Sequence, residues 1–187
     1  NALSSKAIET SKQAKLPKSF WAWDEILEAN QNGYWPYTPS TNLLYGLNEA
    51  LDMLLDEGID HVLARHQRWA AGVRAAVEAW GLEIQCLDPS VYSPVLTGVV
   101  MPEGIDADDV RKIIYERFDL SLGTGLGKAK GKMFRIGHLG DCNDLTLIAT
   151  LGGCEAGMKL AGVNLKGSGV IAAMDYFATN PLDAGKR

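Results

Sequence analysis

The chain has 187 residues, of which 47% are hydrophobic and 22% charged, with a formal net charge of −5 and a pI of about 5.2. A chain of this length hides roughly 70% of its unfolded surface, and its composition excludes disordered, collagen-like and coiled-coil classes, while the acidic balance excludes a broadly basic nucleic-acid-binding surface. Cys86, Cys142 and Cys154 form no CxxC pair and no apolar run approaches bilayer length, so the expected setting is a soluble protein of a reducing compartment, most simply the cytoplasm, with no membrane partner.

The chain starts at Asn1, without Met and inside what reads as a structural element, which points to a fragment. In the first stretch, 1–13, Ser4 or Ser5 can cap a short helix that breaks at Leu16-Pro17. Residues 19–37 hold Phe20, Trp21, Trp23, Tyr34, Trp35 and Tyr37. So many large rings are expected to plug a core or an oligomer interface, with a pocket lining as the functional option. Tyr34 to Thr41 is an extended, proline-punctuated lead into a helix. In that helix Leu43, Leu44, Leu47, Leu51, Leu54 and Leu55 recur at three and four residues until Gly58 stops it.

A second helix places Val62, Trp69, Val73, Val77 and Trp80 on one face and ends at Gly81. Its His61 and His66 are expected to be solvated. Strands are expected at 82–85 and 94–101. A helix capped by Asp106 follows, with Val110, Ile113, Ile114 and Phe118 facing inward. A short strand at 120–122 meets a Gly/Lys loop, 123–132, which is followed by a strand at 133–137. A long helix spans 143–161 and a last one 168–178. Gly152, Gly153 and Gly157 weaken the long helix by about 1 kcal/mol each and suit a close backbone approach. From residue 58 the order is helix, strand, strand, helix, strand, strand, helix, helix, a compact α+β unit with a small sheet covered by helices.

The Gly123–Lys132 loop fails as a phosphate loop. No Gly lies at the required spacing before Gly127-Lys128 or Gly131-Lys132, and Ala129 and Met133 stand where a hydroxyl is needed. It remains a solvated loop with three Lys, or a mobile loop beside a pocket. Arg135 sits in the apolar stretch Met133-Phe134-Arg135-Ile136-Gly137 and needs an anionic partner, either an internal carboxylate or a substrate carboxylate. His138 follows the same strand and could line the same site. The histidines show no metal-binding spacing, and no zinc knuckle or catalytic triad is legible. Thr38, Ser40 and Thr41 set hydroxyls and backbone N–H groups at a helix start, which suits a phosphate or simple capping.

Tyr37-Thr38-Pro39-Ser40-Thr41-Asn42-Leu43-Leu44-Tyr45-Gly46-Leu47, followed downstream by Arg135-Ile136-Gly137-His138-Leu139-Gly140-Asp141, resembles the class V, fold-type I pyridoxal-phosphate (PLP) aminotransferases. Within these it resembles the serine–, alanine– and aspartate–glyoxylate aminotransferases over essentially the whole chain. The resemblance implies an α/β PLP-transferase fold of type I. Residues 1–57 are then the C-terminal end of the large PLP-binding domain with the interdomain helix, and 58–187 the small C-terminal α+β domain. It implies PLP as cofactor, with Thr38 reaching the phosphate of the neighbouring subunit's cofactor, assisted by Tyr37 or Tyr34. Trp35 stands at one position where a tyrosine is expected. Arg135 is implied to bind the substrate α-carboxylate. The Schiff-base lysine and the aspartate that pairs with the pyridine nitrogen are expected upstream of Asn1, so this segment by itself is expected to be inactive. The implied activity moves an amino group from serine, aspartate or alanine to glyoxylate. The implied partners are amino-acid and 2-oxo-acid substrates and a second copy of the chain, as a homodimer or higher homo-oligomer with shared active sites. Two alternatives stand beside it. One is a non-catalytic helical interaction or dimerisation domain. The other is a cysteine-desulfurase-like PLP enzyme, although the 123–132 loop has no Cys.

Overall fold

The computed structural model describes residues 2–182; Asn1 and the last residues of the small domain expected at 58–187, namely 183–187, lie outside them. The chain divides into two compact units, Asn1–Asp52 and Met53–Arg187.

The first unit holds α1 (Ser5–Lys12), α2 (Trp23–Gln31) and most of α3 (Thr41–Glu57). Ser4 is the cap of α1: its Oγ accepts the Ala7 N–H at 3.2 Å, which satisfies one of the open first-turn donors. Among the described residues of the first unit the aromatic stretch plugs no core, which leaves the expected oligomer interface open. Trp21 is 78% exposed, Tyr34 72% and Phe20 64%, and Ala22 is the buried hydrophobic of the segment. Phe20 and Tyr37 stack on each other with centroids 5.0 Å apart, and Tyr37 donates to Glu25 at 3.3 Å. The leucines of α3 form the expected helix, and Leu43, Leu47, Leu51 and Leu55 are exposed along it.

The second unit follows the expected order. Gly58, at φ +87°, separates α3 from α4 (Ile59–Trp80). Gly81, at φ +75°, closes α4 in the left-handed conformation, where a side chain would be strained. Four antiparallel strands follow: β1 (Glu83–Ile84), β2 (Leu96–Val100), β3 (Gly123–Thr124) and β4 (Met133–Gly137), in spatial order β1-β2-β4-β3. Between them lies α5 (Ala107–Phe118), whose cap Asp106 accepts the Asp108 N–H at 2.8 Å. Then α6 (Asp144–Leu160) and α7 (Gly169–Thr179) complete the fold. The strand expected at 120–122 forms instead at Gly123–Thr124, because Leu122 turns its side chain into the core while the two following residues pair with β4.

Strand alternation sorts the sheet into two faces. Thr97, Val99, Phe134 and Ile136 are buried against the helices, together with Trp69, Val73, Val77 and Trp80 of α4, Ile114 of α5 and Leu147, Leu151 and Met158 of α6. Each large apolar side chain removed from water here contributes about 1.5–3 kcal/mol. Gly157 lets α6 approach α5: a Cβ there would meet Ile114 Cγ1 at 2.2 Å. A Cβ on Gly153 would meet Leu120 Cδ2 at 2.9 Å and one on Gly152 nothing within 4 Å, so two of the three glycines expected to permit a close approach stand at one and Gly152 does not. No helix among the described residues is long and apolar enough to cross a membrane.

Candidate functional site

Arg135 lies at the centre of β4, paired across the sheet with Gly98 of β2 and Gly123 of β3. Registered antiparallel partners project to the same face, so the arginine lies on the face opposite Phe134 and Ile136, between two residues that have no side chains. A Cβ at Gly123 would sit 3.0 Å from Arg135 Nε and 3.1 Å from its Cβ. The Arg135 side chain therefore runs directly over the Gly123 backbone.

Arg135 Nε donates to the Thr124 carbonyl at 2.9 Å. Among the described residues no carboxylate pairs with Arg135, and its two terminal nitrogens make no hydrogen bond. Asp108, which meets the same edge strand at Thr124, is engaged elsewhere. Its Oδ1 accepts from the Thr124 hydroxyl and from Arg111 Nη1, each at 2.8 Å. The Thr124 hydroxyl and then the Arg111 guanidinium hold its carboxyl below the usual range. Of the two partners the sequence left open, the internal carboxylate is not supplied by the described residues. The guanidinium keeps a planar two-nitrogen edge suited to a bidentate carboxylate.

His138 does not share this face. It is fully buried on the helix side, where Nδ1 lies 3.1 Å from the Pro94 carbonyl and Nε2 lies 3.0 Å from the Thr97 hydroxyl. The carbonyl requires a proton on Nδ1, and in the neutral ring Nε2 then accepts from the Thr97 hydroxyl. Burial pushes its pKa down to about 4. His66, expected to be solvated, is buried as well. Its Nδ1 lies 2.7 Å from the Val62 carbonyl, and its Nε2 accepts the Gly140 N–H at 3.2 Å. Neighbouring Arg65 donates from Nη1 to the Gly140 carbonyl at 2.8 Å and pairs with Glu57 at 2.5 and 2.6 Å. The turn that leaves β4 is thus held by two consecutive side chains of α4. His61 contacts Glu57 at 3.4 Å and is partly buried.

The 123–132 stretch is built rather than loose. Gly125 donates to the Met133 carbonyl at 3.1 Å, Ala107 donates to the Gly131 carbonyl at 2.8 Å, and Gly127–Ala129 forms a single 3-10 turn. A Cβ on Gly125 would lie 2.0 Å from the Ala129 carbonyl oxygen, so here the glycine serves a tight turn.

In the first unit, Tyr34, Tyr37 and Thr38 all lie on the segment that joins α2 to α3, and all three are exposed. The Ser40 carbonyl accepts the Leu44 N–H at 3.1 Å, the first intrahelical bond of α3. The N–H groups of Thr41, Asn42 and Leu43 are therefore open helix donors. The hydroxyls of Thr38, Ser40 and Thr41 make no hydrogen bond among the described residues. This donor set, neutral hydroxyls and N–H groups at a helix start, has the chemistry that holds a phosphate. Asp108, Thr124 and Arg111 escape the sequence reading because their relation is tertiary.

No family model matches the chain. Among curated proteins, the chain is 44% identical over 182 residues to a serine–glyoxylate aminotransferase of Hyphomicrobium methylovorum, covering 96% of this chain and 45% of the relative. It is 38% identical over 185 residues to an L-aspartate–glyoxylate aminotransferase of Paracoccus denitrificans, covering 98% of this chain and 47% of the relative. Among solved structures, the ureidoglycine–glyoxylate aminotransferase of Bacillus subtilis superposes with a TM-score of 0.81 at 28% identity, covering 93% of this chain and 45% of that one. The chain spans a little under half the length of the curated relatives it matches. With its α+β unit, its lone strand arginine and these matches along nearly its whole length, the chain belongs to the class V, fold-type I aminotransferases.

Proposed function

We propose that the whole protein is a PLP-dependent transaminase that moves an amino group from an amino acid to glyoxylate. The observation that carries this is Arg135: a half-buried guanidinium on a glycine-lined sheet face, with its terminal nitrogens open and no carboxylate among the described residues to meet them. Glyoxylate is the acceptor in the names of all three proteins above, while the donors differ. Serine, alanine and aspartate share the α-carboxylate that Arg135 would grip, so the donor is set elsewhere.

Bound PLP supplies the electron sink that loosens the bonds at the donor's α-carbon. This chain's part is grip and orientation. Arg135 would clamp the α-carboxylate in two places and so orient the donor. The Thr38 hydroxyl, aided by Tyr37 or Tyr34 and by the open N–H groups of α3, holds the cofactor phosphate of a neighbouring subunit. In this reading residues 1–57 close the large domain, 58–187 form the small one, and the lysine that carries the cofactor and the aspartate at its pyridine nitrogen lie in the preceding part of the protein. The enzyme is then a homodimer or higher homo-oligomer with shared active sites, acting in the cytoplasm.

The test is an assay of the whole protein with glyoxylate and each of serine, alanine and aspartate. Arg135→Ala should cost about 2–5 kcal/mol of apparent donor affinity, and Thr38→Val should weaken PLP retention by about 1.5–3 kcal/mol, the worth of a hydrogen bond to a charged group. Normal donor affinity in the Arg135 variant would remove the clamp. A whole protein that takes up no PLP, followed by absorbance, would remove the enzyme.

A further inference from the structure

We infer that Thr124, Asp108 and Arg111 are positioning residues that aim Arg135. This rests on the carboxylate role of Arg135 proposed above.

Arg135 has three nitrogens that could receive a carboxylate, and therefore several ways to present itself. An arginine on an open sheet face also has four side-chain torsions to settle, and fixing them costs rotamer entropy. The structure shows how this freedom is removed. Nε is spent on the Thr124 carbonyl at 2.9 Å. With Nε occupied, the Nη1–Nη2 edge is the one left to meet a carboxylate.

The carbonyl that does this belongs to an edge strand of two residues. Two registered pairs are a weak hold for a strand at the margin of a sheet. What holds it is α5. Arg111 donates to the Leu122 carbonyl from both Nε, at 2.9 Å, and Nη2, at 2.7 Å. Its Nη1 meets Asp108 Oδ1 at 2.8 Å, and the same Oδ1 takes the Thr124 hydroxyl at 2.8 Å. The strand is thus pinned one residue before Gly123 and one residue after it, and the Arg135 side chain crosses the chain at Gly123 itself, with 3.0 Å between Nε and the site of a Cβ. Asp108 fixes Thr124 and, through the same oxygen, holds Arg111. One arginine is aimed by another through a carboxylate and a threonine.

The experiment uses the whole protein and compares donors with their α-amides: L-serine with L-serinamide, and L-alanine with L-alaninamide, each with glyoxylate. The amide keeps the side chain and the amino group but lacks the charge that Arg135 reads. The ratio of kcat/KM for acid over amide therefore reports the aim of Arg135, and damage to the fold lowers both terms together. Arg135→Ala should collapse the ratio. Thr124→Val, which keeps the carbonyl but loses the hydroxyl, and Asp108→Ala should each lower it about 3–10-fold, the effect of one lost hydrogen bond, through KM for the acid rather than kcat. Thr124→Ser should restore it to within about twofold. Asp108→Asn, which keeps an oxygen acceptor for Thr124, is read beside Asp108→Ala and should lie between it and wild type. If Arg135→Ala collapses the ratio while Thr124→Val and Asp108→Ala leave it at the wild-type value, or lower acid and amide alike, the positioning role is wrong and the clamp stands. If Arg135→Ala leaves the ratio unchanged, the clamp falls and the positioning role with it.

Discussion

The Gly140 N–H donates to His66 Nε2 across 3.2 Å, so the turn that follows β4 is fastened to the second turn of α4. With His66 Nδ1 committed to the Val62 carbonyl, the ring is a two-ended bridge whose acceptor end cannot be replaced by an apolar group. His66→Leu should leave a backbone donor without a partner and cost about 1–3 kcal/mol. His66→Gln, which can still offer an oxygen, should cost less. Urea unfolding of the whole protein measures both, and equal costs for the two variants would reduce the bridge to packing.

Glu155 should set an acid limit on stability. Its carboxylate is buried in α6, and burial alone would raise its pKa. The raising is outweighed by Lys159 at 2.7 Å, the Trp80 ring N–H at 3.0 Å, the Val170 N–H at 3.2 Å and the Ser168 hydroxyl at 3.1 Å, which together bring it from 4.5 to about 2. A carboxyl with a lowered pKa in the folded state stabilises the fold above its unfolded value and stops doing so as pH falls through the folded one. The stability on the order of 3 kcal/mol that the shift represents should therefore disappear between about pH 4.5 and pH 2. Glu155→Gln should flatten that part of the unfolding-versus-pH curve, and a variant with the wild-type slope would assign the acid limit to another group.

The glycines of α6 make a paired test. Gly157→Ala forces a methyl into Ile114 and should destabilise by about 1–3 kcal/mol through overpacking. Gly152→Ala enters open space and should stabilise by up to about 1 kcal/mol through helix propensity. Thermal unfolding of the two variants reads out opposite signs; the same sign for both would mean that α5 and α6 do not meet at Gly157 as described.

Cys154 is fully buried and burial pushes its thiol up to about 12. Deprotonation is required for attack, so alkylation at neutral pH should spare Cys154 in the folded protein while modifying it after denaturation. Mass mapping of the three cysteines checks this. Prompt native labelling of Cys154 would show that α6 opens, and would also revive a desulfurase-like role that the buried thiol does not support.

The elements from residue 58 onward were legible because each carries a local signal: Gly58 and Gly81 as stops, Asp106 as a cap, and the three- and four-residue spacing of Val62, Trp69, Val73 and Trp80. Arg135 stood out for the same reason, as a charge inside an apolar strand. What surrounds it did not. The edge strand at Gly123–Thr124 has almost no strand composition and exists through Arg111 and Asp108, partners that no periodicity announces. His66 looked solvated because polarity was read one residue at a time, whereas α4 is buried around enough of its circumference to enclose Arg65 and His66 with their own partners. The exposed rings at Phe20, Trp21 and Tyr34 show the reverse case, in which composition announced burial that the described residues of the first unit do not provide.

The bare glycines at positions 98 and 123, on either side of Arg135, carry a further meaning. A Cβ at Gly98 would meet the Met133 methyl at 2.5 Å and one at Gly123 would meet Arg135 Nε at 3.0 Å, so the volume of both missing side chains is already filled by other residues. At Gly123 that volume belongs to Arg135 itself, and a single added carbon there would push the guanidinium away from the Thr124 carbonyl on which its proposed aim depends.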